Sequence, residues 1–121
     1  MIGLAGCGRM GAPMLAALQR AGFTARGFDV RPSSDFGEQQ QTISNDPAEF
    51  ARDLTTLITV VRDIPQTDAV LFDTQRFADA PNLQTIILCS TLSPRYVLGL
   101  RARIGDQITL IDAPMSGAAI A

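Results

Sequence analysis

The chain has 121 residues, of which 46% are hydrophobic and 18% charged, a balance that suits one folded domain and excludes a disordered chain. The net charge of −2 argues against a nucleic-acid partner, and no apolar stretch reaches the ~20 residues needed to cross a bilayer. All 10 basic residues are arginine, which excludes any mechanism that uses a lysine or histidine of this chain and any histidine metal site.

The first half of the chain alternates short apolar runs with one clear helical pattern. In chain order, the patterns predict strand 1–5, helix 9–21, strand 24–28, a polar surface loop at 31–41 and a short third strand at 42–44. The helix is predicted from apolar side chains three and four residues apart. Gly22 follows it at the position of a C-terminal cap.

The second half of the chain continues this alternation. In chain order, the patterns predict a short helix from 47, strand 54–61, helix 65–72, strand 83–89, helix 94–103 and strand 108–111. Asp46 before Pro47, and Ser93 before Pro94, are typical N-caps, and Gly105 should end the last helix. Strands that are apolar on both faces and alternate with helices predict an α/β fold with a doubly wound parallel sheet. We expect this sheet to be truncated before its last strands.

A glycine-rich loop with the pattern GxGxxG joins the first predicted strand to the first predicted helix. Gly6 permits the tight turn, Gly8 lets a pyrophosphate approach the backbone, and Gly11 lets the helix pack close to the strand. The phosphates should then lie on the N–H groups of Arg9 and Met10, at the positive end of the helix. This context favours a Rossmann-type dinucleotide-binding domain over glycines that serve only a tight turn.

Asp29 stands at the end of the second predicted strand. A carboxylate at this place can accept hydrogen bonds from both hydroxyls of the adenosine ribose. It favours NAD as the cofactor, since the 2′-phosphate of NADP would meet a negative charge. Arg31 leaves NADP open as the less favoured cofactor, because an arginine can hold that phosphate. The alternative for Arg31 is a solvated loop arginine.

Three segments in register resemble the β-hydroxyacid dehydrogenases, the family of 3-hydroxyisobutyrate dehydrogenase and 6-phosphogluconate dehydrogenase. They are residues 6–14 (GCGRMGAPM), residues 90–94 (STLSP) and residues 112–117 (DAPMSG), the last similar to the family's substrate motif. The resemblance implies the N-terminal NAD-binding domain of an oxidoreductase. It also implies reversible hydride transfer between nicotinamide and a small 3-hydroxy acid, 3-hydroxyisobutyrate-like or tartronate semialdehyde-like.

The resemblance implies roles for further residues. Val61 and Arg62 should line the cofactor cleft, and Thr91 should lie near the nicotinamide and the substrate. Ser116 and Gly117 should hold the substrate carboxylate or hydroxyl. The resemblance also implies that the glycine loop binds the pyrophosphate and that Asp29 binds the adenosine ribose.

The sequence departs from the family in three places. Arg62 replaces a proline common after the fourth strand, and Ala118 replaces the second glycine of the substrate motif. The family's general acid/base is a lysine on a later helix, and this chain has no lysine. We therefore expect no catalytic residue in residues 1–121, which would be a partial Rossmann domain whose helical catalytic and dimerisation domain lies outside this chain.

Two other functions remain open. One is a non-catalytic dinucleotide-binding interaction module, and the other is the cofactor half of an imine reductase. Cys7 and Cys89 are too few for a disulfide scaffold and suggest buried thiols in a reducing compartment, so we expect a cytoplasmic protein. A homo-oligomer is expected only through the missing domain.

Overall fold

Six parallel strands form one sheet in the computed structural model, which describes residues 1–115. The strands are β1 (Ile2–Ala5), β2 (Ala25–Phe28), β3 (Ile43–Ser44), β4 (Thr56–Thr59), β5 (Thr85–Leu88) and β6 (Thr109–Asp112). Their order across the sheet is β3-β2-β1-β4-β5-β6, and every neighbouring pair is parallel. The order reverses between β1 and β4, which confirms the predicted doubly wound sheet and places the topological switch point there.

Four α-helices connect these strands within residues 1–115. They are α1 (Gly11–Arg20), α2 (Pro47–Ala51), α3 (Ile64–Asp68) and α4 (Pro94–Arg103). The predicted N-caps are confirmed, because the Asp46 carboxylate accepts from two N–H groups at the start of α2 and Ser93 Oγ accepts from the N–H of Tyr96. The prediction that Gly105 ends α4 was wrong, because the helix already ends at Arg103 with Ile104 as its C-cap. After α1, Gly22 adopts a positive φ of 93° and so ends that helix as predicted.

Two predicted elements differ from the structure in extent, and a third differs in helix type. The predicted loop 31–41 contains a 3₁₀ segment, Ser33–Gln39, which is kinked at Gly37. The helix predicted from residue 9 begins at Gly11, because the turn of the glycine loop takes up the residues before it. The helix predicted at 65–72 is present to within one residue at each end, but it changes type, because α3 ends at Asp68 and continues as a π-helical turn, Ala69–Asp73.

The core lies on both faces of the inner strands. Strand alternation puts Leu57 on one face, with the aromatic cluster of Phe28, Phe50 and Phe77, and Ile58 on the other, against α1. The edge strand β6 departs from this pattern, because three of its four residues are exposed. The prediction of strands apolar on both faces therefore holds for the inner strands and is wrong for β6.

Candidate functional site

A cleft of about 920 Å³ opens at the carboxyl ends of the strands. It lies where ligands bind in doubly wound sheets, outside the switch point. Ten residues that the sequence singled out line it: Gly6, Gly8, Arg9, Met10, Gly11, Asp29, Arg31, Val61, Arg62 and Thr91. The other two predicted residues, Ser116 and Gly117, lie outside the described residues, as does Ala118.

The three glycines of the loop differ in what surrounds them. Gly6 has a φ of 99°, and a Cβ there would lie 2.6 Å from the carbonyl oxygen of Val60. A Cβ at Gly11 would overlap the carbonyl oxygen of Gly6, so α1 packs directly on the end of β1. A Cβ at Gly8 would have no neighbour within 4 Å, which leaves the backbone open to the cleft. Each glycine thus has the surroundings that the pattern predicts. Gly6 forms the tight turn, Gly11 allows the close packing of α1, and Gly8 leaves the backbone open to a ligand.

The start of α1 offers unused donors. Within residues 1–115, no hydrogen bond involves the backbone N–H of Gly8, Arg9 or Met10. Met10 is the N-cap of α1, and its side chain makes no capping bond. Free N–H groups and the positive end of the helix dipole together favour an anion at this place.

Asp29 closes the loop from the end of β2. Its Oδ2 accepts from the N–H of Cys7 at 2.9 Å, and its Oδ1 accepts from the N–H of Arg31 at 3.0 Å. Burial on its own would raise the pKa of Asp29. Hydrogen bonds from the Arg31 side chain and from these two N–H groups lower the pKa by more than burial raises it, so the pKa falls below its ordinary value of 3.8. The carboxylate is therefore ionised at neutral pH and bound to the glycine loop.

Asp29→Asn should destabilise the chain at neutral pH and have a smaller effect in acid. Because the pKa of Asp29 is lowered by folding, its carboxylate stabilises the fold above the ordinary value of 3.8, and this contribution is lost as pH falls through the folded pKa. Urea unfolding across pH should give a difference in unfolding free energy that is constant above about pH 5 and shrinks below it. A constant difference at all pH values would contradict the bonding described here, and Asp53→Asn controls for removing an exposed carboxylate.

Arg31 is the second charged residue at this end of the cleft. Its Nε lies 3.2 Å from Asp29 Oδ1, and its Nη2 donates to the carbonyl of Cys7 at 3.3 Å. The guanidinium also lies 4.8 Å from the centre of the Phe36 ring. Arg31 is thus half-exposed, yet it contacts three different groups.

The loops after β4 and β5 form the opposite wall of the cleft. Ser90 Oγ donates to the carbonyl of Val61, and Gln66 Oε1 accepts from the N–H of Arg62 at 2.8 Å. Ser90 and Gln66 both line the cleft, although neither residue was predicted there from the sequence. The pattern Asp63-x-x-Gln66 was the available signal, because it resembles a capping box at the start of α3.

The two cysteines are free and buried, as predicted. Burial, and then the charge of Asp29, raise the pKa of the Cys7 thiol from 9.0 to about 12, so it stays protonated. Among residues 1–115 there is no group of three side chains suited to holding a metal ion. In the same part of the chain, no helix has the length and apolar character that a membrane crossing requires.

The strand order, the glycine loop and the carboxylate after β2 together define a Rossmann-type dinucleotide-binding domain. The sequence family described as the NAD binding domain of 6-phosphogluconate dehydrogenase matches residues 1–121, and the chain belongs to this family. The chain is 33% identical to L-threonate dehydrogenase of Cupriavidus necator over 122 residues, which cover 98% of this chain and 41% of that protein.

Two other similar proteins are both described as 3-hydroxyisobutyrate dehydrogenases. 3-Hydroxyisobutyrate dehydrogenase of Pseudomonas aeruginosa is 28% identical, over 96% of this chain and 40% of its own length. The structure of Mycobacterium tuberculosis 3-hydroxyisobutyrate dehydrogenase with L-serine superposes with a TM-score of 0.79 and 26% identity, over 96% of this chain and 40% of that one. These matches confirm the resemblance to the β-hydroxyacid dehydrogenases, and the chain spans about two fifths of the length of each relative.

An imine reductase from Myxococcus stipitatus in complex with NAD+ also superposes, with a TM-score of 0.75 and 16% identity, over 97% of this chain and 40% of that one. At that identity the likeness is one of fold. NAD binding is a property of the family to which this chain belongs, and it is the activity that the cleft fits.

Proposed function

We propose that this chain is the cofactor-binding domain of an NAD-dependent dehydrogenase that acts on a small 3-hydroxy acid. The observation that carries the proposal is the single cleft that joins the glycine loop, Asp29 and the loops after β4 and β5. The names of the L-threonate and 3-hydroxyisobutyrate relatives support the substrate class. Bound NAD would supply a hydride acceptor in this cleft.

Each wall of the cleft would hold one part of the dinucleotide. The loop Gly6–Gly11, with the free N–H groups of Arg9 and Met10, would bind the pyrophosphate, and Asp29 would bind the adenosine ribose. Val61 and Arg62 would line the middle of the cleft. Thr91, after β5, would lie near the nicotinamide and the substrate. Ser116 and Gly117 would hold the substrate itself.

The chain would bind and orient the reactants without moving the proton. It has no lysine or histidine, and Asp29 is the one carboxylate among the described residues that line the cleft. That carboxylate is already bonded to Cys7 and Arg31. The general acid/base would therefore come from a helical domain outside this chain, and the coverage of its relatives supports such a domain.

We also propose a cytoplasmic location and oligomerisation through the domain outside this chain. The two free, buried thiols support a reducing compartment.

Steady-state assays of the protein that carries this domain, with 3-hydroxy acids and with cyclic imines, test the substrate class. Turnover of the imines alone would replace the hydroxy acid proposal by the imine reductase alternative, and turnover of neither would favour the binding module.

Asp29→Ala is expected to weaken NAD binding by about tenfold and to narrow the preference for NAD over NADP. The variant loses the acceptor of the ribose hydroxyls, and a hydrogen bond to a charged group contributes about 1.5–3 kcal/mol, of which the lower value corresponds to about tenfold. It also releases Arg31 to meet a 2′-phosphate. The change is measured by titrating the chain with NADH and with NADPH and following the fluorescence of the reduced nicotinamide.

Asp53→Ala is the matched control, since Asp53 is exposed and does not line the cleft. Thermal unfolding of both variants shows whether the loss of the bond to Cys7 has changed the fold. Equal NADH affinity in Asp29→Ala and in the unchanged chain would remove the ribose assignment.

A further inference from the structure

The charges around the cleft do not balance. Three arginines line it, at positions 9, 31 and 62, against the one carboxylate of Asp29. Asp29 forms an ion pair with Arg31. Arg9 and Arg62 form no ion pair within residues 1–115, although the whole chain carries a net charge of −2. Two unneutralised cations at the mouth of one cleft match a ligand with two neighbouring negative charges.

The peptide unit before Arg62 is fixed at both of its polar ends. Its carbonyl, on Val61, accepts from Ser90 Oγ, and its N–H, on Arg62, donates to Gln66 Oε1 at 2.8 Å. Gln66 is itself fixed, because its N–H donates to the Asp63 carboxylate at 3.0 Å. The loop after β5 and the start of α3 therefore hold the backbone from which the Arg62 side chain extends.

This fixed backbone lies next to the glycine loop. A Cβ placed on Gly6 would be 3.2 Å from Cγ1 of Val61 and 2.6 Å from the carbonyl oxygen of Val60. The N–H of Val60 donates to the carbonyl of Ala5 at 2.8 Å, which joins the ends of β1 and β4 directly. Arg62 thus follows a residue whose side chain lies beside Gly6, on the side opposite to Asp29 in the strand order.

We propose that Arg62 is a second ligand of the cofactor pyrophosphate, which it binds from the β4 loop while the glycine loop binds it from α1. This inference rests on the proposed NAD-binding function and adds a specific cation to it. Each phosphate carries a negative charge, so Arg9 and Arg62 together neutralise the pair. The guanidinium can also donate two parallel hydrogen bonds to phosphate oxygens, which makes it more than a diffuse charge.

Arg62→Gln is expected to weaken the binding of NADH and ADP-ribose about tenfold, while adenosine binds as it does to the unchanged chain. NADH is titrated by its fluorescence, and ADP-ribose and adenosine by competition with it. The dependence of NADH affinity on salt should become shallower, because one fewer charge pair is screened. Arg62→Lys should restore the salt dependence but only part of the affinity, since an ammonium lacks the planar fork.

Arg20→Gln is the matched control. Arg20 is exposed at the far end of α1, forms no ion pair within residues 1–115 and does not line the cleft. It should bind all three ligands with unchanged affinity.

The same titrations separate failure of this inference from failure of the proposed function. If the unchanged chain binds neither NADH nor ADP-ribose, both fail. If it binds them and Arg62→Gln equals Arg20→Gln, the pyrophosphate assignment alone is wrong. An equal loss for adenosine would mean that Arg62 supports the loop, and a loss confined to NADPH would mean that it contacts a 2′-phosphate. Each of these two results would overturn the assignment.

Discussion

Gly8→Val is expected to leave the domain folded and to reduce its affinity for NADH by about 100-fold or more, which is on the order of 3 kcal/mol. A side chain at Gly8 meets no atom within 4 Å, and the backbone there does not need a positive φ, so the fold tolerates valine. The same open space is where the loop would meet the pyrophosphate. The added methyl groups would keep the phosphates from the N–H groups of Arg9 and Met10.

The measurement pairs NADH titration with urea unfolding of the same samples. Gly8→Ala should give a smaller loss of affinity, because a single methyl group fills less of the approach. A folded Gly8→Val variant that binds NADH with unchanged affinity would show that the phosphates do not lie over this loop. An unfolded variant would instead contradict the open environment of Gly8.

Gly11→Ala is expected to destabilise the domain by about 3 kcal/mol or more, a large fraction of the ~5–15 kcal/mol typical of a domain. The added Cβ overlaps the carbonyl oxygen of Gly6, a backbone atom that cannot turn aside as a side chain would. Leu4 Cδ2 also lies only 3.1 Å from this Cβ position, so α1 would have to move away from β1. Chemical denaturation measures the loss as a lower urea midpoint.

Gly8→Ala is the matched control for stability, since it is the same substitution in the same loop but into open space. Its stability should change by about 0.5 kcal/mol at most. Helix propensity alone would make Gly11→Ala stabilising by roughly 0.5–1 kcal/mol, which is opposite in sign to the packing effect. A stable Gly11→Ala variant would therefore show that α1 and β1 are not in close contact.

These two glycines divide the loop into separate tasks. Gly11 determines how closely the helix approaches the sheet, and Gly8 determines how closely a ligand approaches the helix. Because Asp29 accepts a hydrogen bond from the N–H of Cys7, the residue before Gly8, the loop is also fixed to the end of β2. A pyrophosphate would thus meet a preformed surface, which lowers the conformational entropy that binding must overcome.

Local sequence signals were sufficient for the elements that form the glycine loop and its partner. The apolar run before the loop, the helical spacing after it and the N-caps at Asp46 and Ser93 all act over a few residues. Such short-range signals predicted the six strands and the glycine loop with Asp29, whereas the places of Val61, Arg62 and Thr91 in the cleft were expected only from the resemblance to the family. Local signals did not predict the type of helix, as the π-helical turn after α3 illustrates.

The sequence by itself determined the fold class, a doubly wound parallel sheet, and the residue types at the carboxyl edge of that sheet. These follow from periodicity and from the backbone demands of glycine, which are properties of neighbouring residues. The tertiary structure alone decided which of those residues are already bonded. The Arg31–Asp29 pair, and the attachment of the Val61–Arg62 peptide to Ser90 and Gln66, depend on loops that only the folded sheet brings together. No local sequence pattern encodes which charges pair across space. Only the folded structure therefore shows that, among the described residues, Arg9 and Arg62 are the cations of the cleft that form no ion pair.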